Sequence, residues 1–87
     1  MIVTPNKIQS WIDKKKEFTV IDIRPVNIQN NNPILGLKYI SADENSIPNI
    51  KNDSIFVCQY GLVTEGLIIE KKLLNSYSLL GGSDAWN

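Results

Sequence analysis

Nine Lys plus Arg balance nine Asp plus Glu in a chain of 87 residues that is 43% apolar, enough for the core of one small domain and without the basic surplus of a nucleic-acid binder. There is no histidine and one cysteine, Cys58, which excludes Ser-His-Asp, Cys-His and zinc–histidine sites, an internal disulfide and any multi-cysteine metal centre. No apolar run reaches the roughly 18 residues of a membrane span, and residues 1–6 lack both regions of a signal peptide, so a single cytoplasmic domain over 1–87 is expected.

Ile2 and Val3 form a short apolar start. Thr4-Pro5 then reads as a helix N-cap followed by proline at the first helical position. Ile8, Trp11 and Ile12 follow at helical spacing, and Lys14, Lys15 and Lys16 suit a solvated C-terminal end. Residues 18–23 are a nearly continuous apolar, β-branched-rich run, the signature of a strand buried on both faces, ending at Asp22 and Arg24-Pro25. The Asn-rich stretch 27–33 is expected to be loop, and residues 38–40 a short strand. Residues 41–53 are polar, with at most a turn of helix near Ile47 and Ile50. Residues 54–57 are a second buried strand, delivering Cys58 at its end. A loop of Gln59, Tyr60, Gly61, Leu62 and Val63 precedes a helix capped by Thr64 and running to about Asn75, with Leu67, Ile68 (or Ile69) and Leu74 as its stripe. Residues 77–80 form a last strand, and Gly81-Gly82 opens a turn and a final helix. Strands alternating with helices predict an α/β fold with a small parallel sheet flanked by helices.

The chemistry concentrates at Cys58. In open α/β sheets ligands sit at the carboxyl ends of strands, and a tight loop entering a helix turns backbone N–H groups toward an anion. A thiol there has a lowered pKa and is a nucleophile, with Gly61 supplying the unusual dihedrals. An isolated cysteine at a strand end is otherwise a small buried hydrophobe; the strand-Cys-x-x-Gly-helix context favours the nucleophile. Arg24 could lower the Cys58 pKa, but an ion pair with Asp22 that ties loops together is the favoured reading. Tyr60 lines the pocket or meets a partner. Trp11 and Trp86 pack against the sheet, and Glu65 complements the helix dipole without a catalytic role.

Four segments, in order, resemble the rhodanese domain, a sulfurtransferase fold, over essentially the whole chain. They are Val20-Ile21-Asp22-Ile23-Arg24, Ile34-Leu35-Gly36-Leu37 with Tyr39-Ile40, the strand and loop from Ile55 to Gly61, and the closing Leu80-Gly81-Gly82-Ser83-Asp84-Ala85-Trp86. The loop and the ending are most similar to rhodanese domains fused to adenylyltransferases of molybdopterin and thiamine biosynthesis. The resemblance implies a catalytic loop between a central strand and the next helix, with Cys58 as the catalytic cysteine that carries sulfur as a persulfide. It implies that the backbone of Gln59, Tyr60, Gly61, Leu62 and Val63 holds this anion, with Asp22 and Arg24 in support. A persulfide donor such as a cysteine desulfurase and a ubiquitin-like sulfur carrier as acceptor are the implied partners, with no cofactor, metal, nucleic acid or membrane.

The departures are specific. Pro33 stands where the family has histidine, Val63 where many relatives have arginine, and the loop carries no cation, so thiosulfate is expected to bind poorly. The phosphatases of the same fold use a Cys-x5-Arg loop, and Thr64 at the corresponding position excludes that chemistry. The chain stops just inside its last helix, which suggests a minimal or C-terminally truncated domain. A catalytically silent rhodanese-like binding module is the alternative function, and a redox-sensing thiol ranks last for want of a resolving cysteine.

Overall fold

The computed structural model describes residues 1–87. In chain order it contains β1 (Ile2–Val3), α1 (Pro5–Asp13), β2 (Phe18–Asp22), α2 (Val26–Asn31), β3 (Tyr39–Ser41), β4 (Asp53–Val57), α3 (Leu62–Glu70), β5 (Ser76–Leu79) and α4 (Gly82–Trp86). The five strands form one sheet in the order β1-β5-β4-β2-β3, and every pairing is parallel. This is the predicted α/β class.

Alternation along the central strands builds a core on each face. Val20, Ile55 and Val57 join Val3, Ile8, Trp11 and Leu79 in one cluster, under α1. Ile21 and Phe56 point the other way and pack with Leu67 and Ile68 of α3. Ile8, Ile21, Ile55, Val57 and Leu79 are wholly buried, each stabilising by about 1.5–3 kcal/mol over exposure. Trp11 lies against Phe18 and Tyr77 at 5.6 and 5.4 Å between ring centres. Thr4 caps α1 as expected, its hydroxyl accepting from the Lys7 N–H. The end of that helix is less solvated than its lysines suggest, because Lys16 reaches Asp53 at 2.9 Å and sits 5.1 Å from the Trp11 ring centre.

Four expectations are corrected. Residues 26–31 are helix, not loop: the Gln29 side chain is buried and donates to the carbonyls of Arg24 (2.7 Å) and Asp22 (3.4 Å), a tertiary anchor that outweighs weak local propensity. Helix α3 begins at Leu62, so Leu62 and Val63 are its first turn and the loop is shorter than expected, with Gly61 rather than Thr64 at the N-cap. It also stops at Glu70, where Lys72 takes a left-handed φ of 52° and the Leu73 N–H returns to the Ile68 carbonyl at 3.1 Å. Leu74 is consequently 86% exposed rather than part of a stripe, and of the two isoleucines Ile68 is the buried one.

Candidate active site

Cys58 follows β4 directly and is buried. Residues 59–61 then reverse the chain into α3, and Gly61 adopts φ +86°. A Cβ on Gly61 would lie 2.7 Å from the Leu79 carbonyl oxygen, so both the dihedral and the space demand glycine. No side chain caps α3, which leaves its first N–H groups seeking an acceptor. The sulfur fills that role. The Gly61 N–H donates to Cys58 Sγ at 3.1 Å, and the Thr64 hydroxyl lies 3.5 Å from it.

The consequence for the thiol is a contest of opposing effects. Burial pushes its pKa up, whereas hydrogen bonds from the Thr64 hydroxyl and from the N–H groups of Thr64, Val63 and Gly61 pull it down. The donors prevail, and the pKa lies below the ordinary thiol value. Cys58 is thus predisposed to the thiolate, the reactive form.

Thr64 was expected only as a cap; it is the third residue of α3, fully buried, and its hydroxyl lies within hydrogen-bond range of Cys58 Sγ, Ser78 Oγ and the Gly61 carbonyl. Ser78 of β5 also donates to the Gly61 carbonyl at 3.1 Å. A small hydroxyl residue just past the loop, in the first turn of α3, and a serine beside Leu79 in β5 were the available signals for Thr64 and Ser78.

Asp22 and Arg24 are 0% and 4% exposed and form a bidentate pair, with Arg24 Nη2 2.8 Å and Nε 3.1 Å from Asp22 Oδ2 and Nε 3.0 Å from Oδ1. Arg24 Nη1 donates to Ser83 Oγ at 3.2 Å. The guanidinium therefore ties the end of β2 to the start of α4, the structural role favoured from the sequence. It borders a cleft of about 360 Å³ over Cys58, together with Ile23, Ile28, Gln59, Tyr60, Leu62 and Val63. Tyr60, Leu62 and Val63 expose 59%, 77% and 60% of their surface at its mouth. Apart from the paired Arg24, no cationic side chain lines this cleft.

The turn from β5 into α4 supports the loop from below. The N–H groups of Ser83 and Asp84 donate to the carbonyls of Cys58 (2.9 Å) and Gln59 (3.2 Å). Gly82 lets the two backbones approach, since a Cβ there would lie 2.3 Å from the Cys58 carbonyl oxygen. Trp86 Nε1 donates to the Leu35 carbonyl at 2.7 Å, and the Asn87 amide bonds both Pro33 and Leu35 backbone groups. Trp86 thus packs against the Val3–Leu79 cluster while holding the turn before β3.

An all-parallel five-stranded sheet between helices, with a cysteine at the carboxyl end of its central strand, defines the rhodanese-like fold. Among solved structures, the chain is similar to a rhodanese-like domain protein from Staphylococcus aureus, with a TM-score of 0.79 and 18% sequence identity, over 100% of this chain and 92% of that one. No family model matches the sequence, and neither does any curated protein.

Proposed function

We propose that the domain is a sulfurtransferase that carries sulfane sulfur as a persulfide on Cys58. The observation that carries this reading is the thiol itself, standing as acceptor for the open N-terminus of α3 with its pKa lowered by four donors. In the first step the Cys58 thiolate attacks the outer sulfur of a donor persulfide R–S–SH. A Cys58 S–S bond forms, the donor S–S bond breaks, and the donor leaves as R–S⁻. A nucleophilic acceptor then attacks the outer sulfur and releases the Cys58 thiolate. Neither step needs a general base, cofactor or metal. The N–H groups that hold the thiolate stay aimed at the site throughout, the preorganised stabilisation that a developing anion requires.

The role proposed for the domain is sulfur delivery in cofactor biosynthesis of the molybdopterin or thiamine type, with a cysteine desulfurase as donor and a ubiquitin-like carrier as acceptor. The loop resemblance and the absence of a free cation over Cys58, which disfavours thiosulfate, support it. The test is the intact mass of the protein after incubation with thiosulfate, and separately with a persulfide-loaded cysteine desulfurase, beside a Cys58→Ser control. A gain of one sulfur atom that is absent in the control and removed by cyanide or dithiothreitol is expected with the desulfurase. No gain from either donor in folded protein overturns the reading and leaves the silent binding module, which the lack of a free cation over Cys58 also favours.

A further inference from the structure

The zero net charge of the chain conceals a polar arrangement. All strands run in parallel, so strand ends and helix starts gather at the Cys58 end of the sheet. At that end Asp43 and Glu44 follow β3, Glu65 lies in the first turn of α3 and Asp84 in the first turn of α4. Against them stands one exposed cation, Lys7, because Arg24 is buried against Asp22. The other end has Lys14, Lys15 and Lys16 closing α1, Lys38 and Lys51 leading into β3 and β4, and Lys71 and Lys72 closing α3. Its carboxylates are Asp13, Glu17, Asp53 and Glu70, of which Asp53 is bound to Lys16.

Complementing helix dipoles accounts for part of this pattern. It does not account for Asp43, Glu44, Lys38 or Lys51, which lie on no helix. Asp43 and Glu44 instead line a cleft of about 590 Å³ that shares Ile23, Arg24, Pro25 and Val63 with the cleft over Cys58. The two adjoin at these shared residues, with apolar side chains beside the sulfur and carboxylates at the far side.

We propose that the sulfur donor is a protein presenting its cysteine on a cationic surface, with apolar side chains beside the sulfur and Lys or Arg further out. The apolar groups cover Tyr60, Leu62 and Val63, and the cations face Asp43 and Glu44. A dianion such as thiosulfate meets the reverse of what it needs. The proposal rests on the sulfur-carrier reading for the identity of the partner, but the complementarity it asserts can be measured without sulfur transfer.

The test is a nuclear magnetic resonance titration of isotope-labelled Cys58→Ser protein with two synthetic hexapeptides, one of lysine and valine around a central serine and its glutamate counterpart. At low salt the lysine peptide is expected to shift resonances of residues 42–46 and 60–65 and to bind at least about fivefold more tightly. The preference should vanish near 1 M salt, where screening shortens to about 3 Å. The exchange Asp43→Lys with Glu44→Lys should abolish it, while Lys14→Glu with Lys51→Glu at the far end should leave it intact. Equal binding, a glutamate preference, absent binding or shifts confined elsewhere overturns the proposal. Failed sulfur loading alongside an intact lysine preference would overturn only the carrier reading.

Discussion

Two strand-to-helix turns lie side by side and differ in what their helix N-termini do. Both pass through a left-handed glycine, Gly61 (φ 86°) before α3 and Gly81 (φ 76°) before α4, and neither helix has a side-chain cap. In the second turn the free N–H groups of Ser83 and Asp84 are consumed by the carbonyls of Cys58 and Gln59. In the first, the corresponding groups are left for a sulfur atom. The same backbone device is thus structural in one place and chemical in the other, and only the acceptor decides which. The end of β2 provides a third solution: the Asp22 carboxylate accepts the Arg24 N–H at 3.0 Å as well as its guanidinium.

The largest loss should come from breaking that third turn. Asp22→Asn leaves Arg24 buried without a counter-charge, at a cost of roughly 3–5 kcal/mol, a large share of the about 5–15 kcal/mol typical of a domain. Urea unfolding should show a steeply lowered midpoint. Next, Gly82→Ala forces a Cβ to within 2.4 Å of Gln59 backbone atoms and should cost on the order of 3 kcal/mol, with the loss appearing as faster Cys58 alkylation because the loop loses its floor.

Thr64→Val sharpens the comparison by removing a donor while keeping the shape. A hydrogen bond to a charged group contributes about 1.5–3 kcal/mol, so alkylation at neutral pH should slow by on the order of tenfold and its midpoint should move upward. The sign also holds for stability. A depressed thiol pKa stabilises the fold above the unfolded thiol value, and that contribution is lost as pH falls through the folded value. Thr64→Val should therefore destabilise the protein more at alkaline than at acidic pH, which paired denaturation curves measure. Smallest and opposite in sign is Gly66→Ala. Nothing lies within 4 Å of a Cβ there and Gly66 is inside α3, so a gain of roughly 0.5–1 kcal/mol is expected, in contrast to Gly82.

The parallel sheet and the placement of Cys58 at a strand end were legible because buried parallel strands write themselves as continuous apolar runs, as at residues 18–23 and 54–57, whereas the order β1-β5-β4-β2-β3 was not. The thiol's setting followed from one cysteine and one glycine three residues apart. Helix α2 was not legible, since its anchor is a glutamine reaching backward to two carbonyls rather than any local pattern. The early end of α3 depends on a lysine adopting left-handed backbone at 72, where glycine would have been the visible signal. The partnership of Thr64 with Ser78 was not legible because they are 14 residues apart and meet only when β5 joins β4.

The sheet order has a consequence in time. The first strand pairs with the last, Ile2 beside Ser78 and Val3 beside Leu79, and the Cys58 and Gln59 carbonyls wait for Ser83 and Asp84. Such distant pairings are entropically late. A refolding chain should therefore gather β2, β4 and α3 before its thiol is sheltered, so protection of Cys58 from a pulse of alkylating reagent should be among the last native properties to mature.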